Sequence, residues 1–169
     1  MIRTLFKIFR TGIVTENVIG QDADNIEVIG QKLSKLIKKR FKGSLRIRHI
    51  DAGSCNGCEL EIHALNNPIY DIERYGIHFT ASPRFADLLL VTGPVSRNME
   101  IALKRTYAAT ATPKVVVAVG DCGCNGGIFG ESYATLGGID KVIPVDVIIK
   151  GCPPTPAALL NGILQAIAN

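Results

Sequence analysis

Lys114–Gly120 reads as a strand whose residues 115–119 are Val-Val-Val-Ala-Val, five apolar residues with no polar interruption. A strand with one wet face alternates apolar and polar residues. One that is apolar throughout must be covered on both faces, as in the centre of a parallel sheet between two helical layers. Asp87 to Thr92 repeats the pattern, and Leu45–Ile50, Ile77–Thr80 and Val145–Lys150 supply further strand-like segments. Between them the period becomes helical. Leu60, Ile62 and Leu65 belong to a helix after the first strand, Asn98–Thr110 forms another, and Thr155–Ala168 closes the sequence. Strands alternating with helices define an α/β fold.

The expected architecture is a flavodoxin-like open parallel sheet with helices on both faces, preceded by an N-terminal helical extension. Residues 43–169 are expected to form the single α/β domain and residues 1–42 the basic extension. Within the extension, Ile2, Leu5, Phe6 and Phe9 recur at helical spacing opposite Arg3, Lys7 and Arg10, so residues 2–10 read as a short basic amphipathic helix. Thr11–Asp24 reads as a turn-rich connection. From Asn25 to Phe41 a second helix carries Ile29, Leu33, Leu36, Ile37 and Phe41 on one face.

Charge is distributed unevenly. The first 50 residues hold 11 Lys and Arg against 4 Asp and Glu, whereas the remainder holds 8 against 11. A basic block of this kind suits an anionic membrane surface, a nucleic acid or an acidic partner subunit, or is a solvated helix face. No recognised nucleic-acid reading motif accompanies it, and no nucleic-acid partner is expected. No apolar run approaches the roughly 18–20 residues of a membrane span, and the N-terminus lacks a secretory pattern. The expected location is the cytoplasmic side of the cell membrane, as a peripheral protein.

The chain has five cysteines, Cys55, Cys58, Cys122, Cys124 and Cys152. Cys55 and Cys58 follow the first expected strand, Cys122 and Cys124 the fourth, and Cys152 the fifth. Since all strands of a parallel sheet end on one edge, residues far apart in sequence meet there. None of the five is expected inside a strand or helix, where a cysteine serving as a small core hydrophobe belongs. A reducing compartment disfavours a disulfide framework, leaving free thiols or ligands. Cys55-Asn56-Gly57-Cys58 alone is compatible with zinc, a redox disulfide or an iron–sulfur cluster. Further ligands arriving singly from separate loops, and the Cys152-Pro153 junction, favour one 4Fe–4S cluster over a structural zinc. Cys122 stands directly at a strand end and Cys124 two residues beyond it. The expected cofactor-binding and metal-ligating set is therefore Cys55, Cys58, Cys122 and Cys152, with Cys124 spare. Gly120, Gly123, Gly126 and Gly127 surround the third ligand, as turn residues or as bare backbone that approaches sulfur.

These motifs resemble a known family. Gly53-Ser54-Cys55-Asn56-Gly57-Cys58-Glu59, Gly120-Asp121-Cys122 with Gly126-Gly127-Ile128-Phe129, and Ile143-Pro144-Val145-Asp146-Val147 leading to Gly151-Cys152-Pro153-Pro154-Thr155-Pro156 are similar to the small subunit of membrane-bound, energy-converting nickel–iron hydrogenases. That family also includes the 20 kDa (B) subunit of NADH-quinone oxidoreductase. The resemblance spans Arg46 to Ile167. In the quinone-reducing branch the first two cysteines are adjacent; here two residues separate them, as in the hydrogenases. No cysteine follows Cys152, so one cluster is expected. Cys124 departs from the pattern, many relatives having a non-thiol residue there.

The resemblance implies an oxidoreductase subunit that relays electrons to or from a nickel–iron centre in a separate hydrogenase large subunit, so that this chain supplies no hydrogen-activating catalytic residue. It further implies a ferredoxin-like 4Fe–4S subunit and integral membrane subunits as partners in a hetero-oligomer. A complex I-like quinone-reducing role and a structural zinc module are the alternatives. Glu59 is expected either to complement a helix N-terminus or to assist proton transfer at the subunit boundary. Glu61 is read as a helix-dipole residue, His49, His63 and His78 as packing or surface residues, and Arg84 as exposed.

Overall fold

The computed structural model describes residues 21–168, with residues 6, 7 and 10 before them. The helix expected over residues 2–10 therefore lies mostly outside the described residues.

The order is α1 (Gln21–Phe41), β1 (Leu45–Asp51), α2 (Gly57–Ala64), β2 (Ile77–Phe79), β3 (Leu88–Thr92), α3 (Arg97–Ala109), β4 (Val115–Val119), α4 (Gly120–Asn125), β5 (Val147–Ile149) and α5 (Pro156–Ala168). The five strands form one all-parallel sheet in the order β2-β1-β3-β4-β5. The chain leaves β1 toward β2 and then returns past it to β3, which places the topological switch point between the carboxyl ends of β1 and β3. The expected open parallel sheet with helices on both faces is the observed one.

The uninterrupted apolar runs are covered on both sides. Alternate residues of β3 enter different cores: Leu88 and Leu90 join one with α1, α2 and α5, while Leu89 and Val91 join the other with Leu103 of α3. Val117 and Val119 likewise face the first core, and Val116 and Ala118 the second. A fully buried leucine or isoleucine contributes about 1.5–3 kcal/mol relative to leaving it in water, so the double burial of the central strands is the main favourable contribution to this fold.

Two expectations about helices need correction. The first described helix begins at Gln21 rather than Asn25. Residues 21–24, assigned from sequence to the turn-rich connection, include neither glycine nor proline, so nothing in them stops the helix from extending back to Gln21. Leu60, expected on the apolar face of α2, is 62% exposed, while Ile62 and Leu65 are buried. Leu60 stands two positions from Ile62, on the opposite face of the helix from buried Cys58, Ile62 and Leu65.

Helix α1 is built into the core. Leu33 and Ile37 are fully buried, and the Arg40 Nη1 donates to the carbonyl of Ile167 at 2.6 Å, tying α1 to the end of α5. Gly30 lies against the ring of Tyr75, where an added Cβ would stand 2.1 Å from Cζ. The Tyr75 hydroxyl in turn donates to Glu27 Oε2 at 2.9 Å. Gly30→Ala gains about 1 kcal/mol of helix propensity but must displace a buried ring, at a cost of about 1–3 kcal/mol. We expect the variant to unfold at lower denaturant concentration than the natural chain, and the added Tyr75→Ala substitution to bring the loss below the sum of the two single losses. A higher unfolding midpoint for Gly30→Ala would contradict this packing.

Candidate metal centre

Three loops at the carboxyl edge of the sheet carry the cysteines, and hydrogen bonds fix each of them in place. After β1, Asp51 Oδ1 accepts from the backbone N–H groups of Gly53 and Ser54, both at 2.8 Å, and Ser54 Oγ accepts from the N–H of Asn56 at 3.1 Å. Asn56 takes a left-handed conformation (φ 71°) and starts α2. These bonds turn the chain within four residues, so that Cys55 lies on the rim and Cys58 on the first turn of the helix. Asn and Asp are suited to such turns because their short side chains satisfy nearby backbone donors.

The other two loops are fastened to each other. The Asp121 N–H donates to the Gly151 carbonyl at 3.0 Å, and the Gly151 N–H donates to Asp121 Oδ1 at 2.9 Å. This reciprocal pair holds Cys122 and Cys152 side by side, one residue beyond each anchor. Lower down, Asp146 and Val116 are joined in the same two-way manner, at 2.9 and 2.7 Å. The loop after β3 closes the gap: a Cβ at Gly93 would lie 2.5 Å from the Ser54 nitrogen.

Cys122 and Cys124 lie on the short helix α4, and Cys58 is the second residue of α2. The expectation that no cysteine lies in a helix interior is thus overturned for Cys122 and Cys124, while Cys58 sits at a helix start as expected. The Gly-rich composition of residues 120–127 suggested irregular chain, but only the flanking Gly120, Gly126 and Gly127 have positive φ. The helix has a direct consequence, since residues two apart on a helix do not face each other.

Burial and mutual electrostatics group four of the thiols. Cys58 and Cys122 are buried; Cys55 and Cys152 are exposed. Burial pushes the Cys58 thiol up to about 12, and negative charge on Glu59, Cys122, Cys55 and Cys152 adds to the rise. The Cys122 thiol is also raised, first by burial and then by Cys152 and Cys55. Cys124 does not figure among the influences on either. Cys58 and Cys122, two buried thiols that resist ionisation, are stabilised as thiolates by a cation beside them, which is the chemistry of a metal or cluster site. Among the described residues, no three or more His, Cys, Asp or Glu side chains close on a single-ion position.

Bare backbone surrounds the sulfurs. A Cβ at Gly120 would stand 2.7 Å from Cys58 Sγ, and one at Gly127 would stand 2.8 Å from Cys122 Sγ. The backbone N–H of Ile128 hydrogen-bonds Cys122 and holds its titration down. Donors of this kind compensate negative charge on sulfur and tune a bound centre.

Beside this cage lies Glu59, whose pairing with His49 the sequence does not signal. Glu59 is buried, and among the described residues neither carboxylate oxygen has a hydrogen-bond partner. His49 Nε2 lies 3.7 Å from Glu59 Oε1 and 3.1 Å from the Thr92 hydroxyl. Burial holds the His49 imidazole below its usual range, with the Glu59 charge opposing. His49 has no local metal-ligand spacing, and its partner is ten residues away on another element, so no sequence pattern signals the pair. His63 and Arg84 are exposed, and His78 is half-buried.

Comparison with known proteins gives a consistent result. Formate hydrogenlyase subunit 7 of Escherichia coli (strain K12) is 45% identical over 159 residues, covering 89% of this chain and 62% of that protein. The probable membrane-bound hydrogenase subunit mbhJ of Pyrococcus furiosus is 48% identical over 119 residues, covering 70% of this chain and 71% of that one. The B subunit of NADH-quinone oxidoreductase from Desulfovibrio desulfuricans is 46% identical over 114 residues, covering 66% and 62%. The chain thus spans less than two thirds of the length of the first and third of these relatives. Among solved structures, a chain of the archaeal membrane-bound sulfane sulfur reductase superposes with a TM-score of 0.66 at 38% identity, covering 82% of this chain and 75% of that one. Residues 55–166, the stretch that contains all five cysteines and their loops, match the NADH ubiquinone oxidoreductase 20 kDa subunit, and the chain belongs to that family.

Proposed function

We propose that this chain is the electron-transfer small subunit of a multisubunit membrane-bound nickel–iron hydrogenase. Cys55, Cys58, Cys122 and Cys152 hold a proximal 4Fe–4S cluster, next to a large subunit that carries the nickel–iron centre. A further subunit with ferredoxin-like clusters exchanges electrons with the site, and integral membrane subunits couple that exchange to ion movement. The chain sits peripherally on the cytoplasmic face. The observation that supports this most directly is geometric: cysteines from three strand-end loops share one rim, where the Asp121–Gly151 hydrogen bonds set Cys122 beside Cys152 and Gly120 lies against Cys58 Sγ.

A cluster bound there supplies a one-electron redox change. The chain's own residues set its place and surroundings. Asp51 and Asp121 fix the loops, Gly120 and Gly127 leave room at the sulfurs, and the Ile128 N–H offsets charge on Cys122. Cys55 and Cys152 are exposed, as are Leu60 beside Cys58 in α2 and Ile128 and Phe129 just past α4. Apolar side chains around a redox site are suited to burial under a partner, which excludes water and shortens the path for the electron.

A quinone-linked role is the second reading. It is favoured by relatives named as the B subunit of NADH-quinone oxidoreductase, at 45–48% identity. The two residues between Cys55 and Cys58 support the hydrogenase role instead. Nickel distinguishes the two: the isolated complex should contain it, and its large subunit should carry two cysteine pairs able to bind it. A nickel-free complex whose large subunit lacks those pairs would exclude the hydrogenase role.

For the cluster itself, the purified complex should yield about four irons and four acid-labile sulfides at this site, rather than zinc without sulfide. Serine in place of Cys55, Cys58, Cys122 or Cys152 should abolish the reduced-cluster paramagnetic signal. Cys124→Ser should retain it; loss with that variant would reassign the third ligand. Gly120→Ala should also lower cluster occupancy, because its methyl group meets Cys58 Sγ and its φ of +81° is strained for any residue with a Cβ.

A further inference from the structure

Helix α1 has a face that its own fold does not use. Its buried side is made by Ile29, Leu33 and Ile37. On the opposite side, Val28, Lys32, Lys35 and Lys39 fall within about 60° of one another around the helix axis, spanning about 16 Å along it. Lys38 flanks this row and Lys42 continues it just past the helix end; all five lysines are exposed and Val28 is 49% exposed. Among the described residues none of these lysines has a carboxylate partner. The positions four residues before Lys32, Lys35, Lys38 and Lys39 are Val28, Gln31, Ser34 and Lys35, so the helix supplies no counter-charge of its own.

Helix electrostatics explain only part of this pattern. Lys38, Lys39 and Arg40 lie in the last turn, where positive charge complements the free carbonyls. Lys32 and Lys35 lie one to two turns earlier, beyond the reach of that effect, and repel their neighbours at three- and four-residue spacing.

We propose that this lysine row rests on the anionic headgroups of a lipid bilayer. Lipid is favoured over an acidic protein segment in three ways. The row lies on a convex helix rather than in a cleft, and it uses lysine, a mobile point charge suited to a diffuse negative surface, rather than the planar fork of arginine. Named relatives and the solved neighbour are parts of membrane-bound assemblies. Finally, no described helix is long and apolar enough to cross a membrane, so contact between the described part and a bilayer is made at its surface. The inference rests on the membrane placement given under Proposed function, but is tested apart from the cluster.

The test is sedimentation of the full chain, with its cluster signal recorded, on vesicles of roughly one part phosphatidylglycerol to three parts phosphatidylcholine. The natural chain should bind these, should not bind pure phosphatidylcholine, and should be released between about 0.1 and 0.5 M salt. The K32Q/K35Q/K39Q variant should keep the cluster signal and lose roughly tenfold or more in partition. Substituting Arg3, Lys7 and Arg10 instead should leave the contribution of the row in place. Equal binding to both vesicle types, undiminished binding by the lysine variant, or binding lost only with the N-terminal substitutions would overturn the proposal. So would a lysine variant that binds vesicles normally but fails to retain another subunit in the solubilised complex, which would assign the row to an acidic protein. Loss of the cluster with normal vesicle binding would count against the relay function and leave this proposal standing.

Discussion

Parallel strand pairing is the constraint on which the rest depends. Because every strand runs the same way, each carboxyl end reaches the same edge, and the register Thr92↔Asp51 and Thr92↔Val119 sets the ends of β1, β3 and β4 level with one another. Thiols nearly a hundred residues apart in sequence are thereby brought to a common rim. The double-faced burial that forces this sheet also makes it stiff, since a close-packed interior transmits displacement rather than absorbing it. A reactive site at the rim is thus positioned by the core, although most of its residues are outside it.

At the rim, burial and charge act against each other. Cys58 and Cys122 are drawn into apolar surroundings that disfavour thiolate, and negative charge on neighbouring sulfurs disfavours it further. Free thiols resolve that conflict by remaining protonated. Ligands resolve it through a cationic centre and backbone N–H donors, of which Ile128 supplies one. Glu59 adds negative charge to the same neighbourhood, its buried oxygens without a hydrogen-bond partner among the described residues and His49 Nε2 3.7 Å from Oε1.

The strands and the sheet class were legible in sequence because a five-residue apolar run has few places to go in a folded chain. Strand limits differ by only one or two residues from those expected, and the cysteines fall after β1, β4 and β5 as anticipated. What escaped sequence reading is local geometry that composition disguises. Helix α4 is made largely of glycine and cysteine, poor helix formers whose conformation is imposed by surrounding bonds. The partnership of His49 with Glu59 and Thr92 depends on the facing of three different elements, which no single stretch encodes. The aspartates at the strand ends look in sequence like ordinary turn residues, and only the fold reveals that Asp121 joins two loops.

That junction bears on how fast a relay can work. Two hydrogen bonds running in opposite senses between Asp121 and Gly151 resist both separation and sliding of the β4 and β5 loops. Electron exchange slows when atoms must rearrange between oxidation states, and a cage whose walls are bolted to each other rearranges little. In the relay proposed for this chain, a carboxylate that never touches the redox centre thus keeps its nuclear reorganisation small, and belongs to the kinetics of transfer as much as to the architecture.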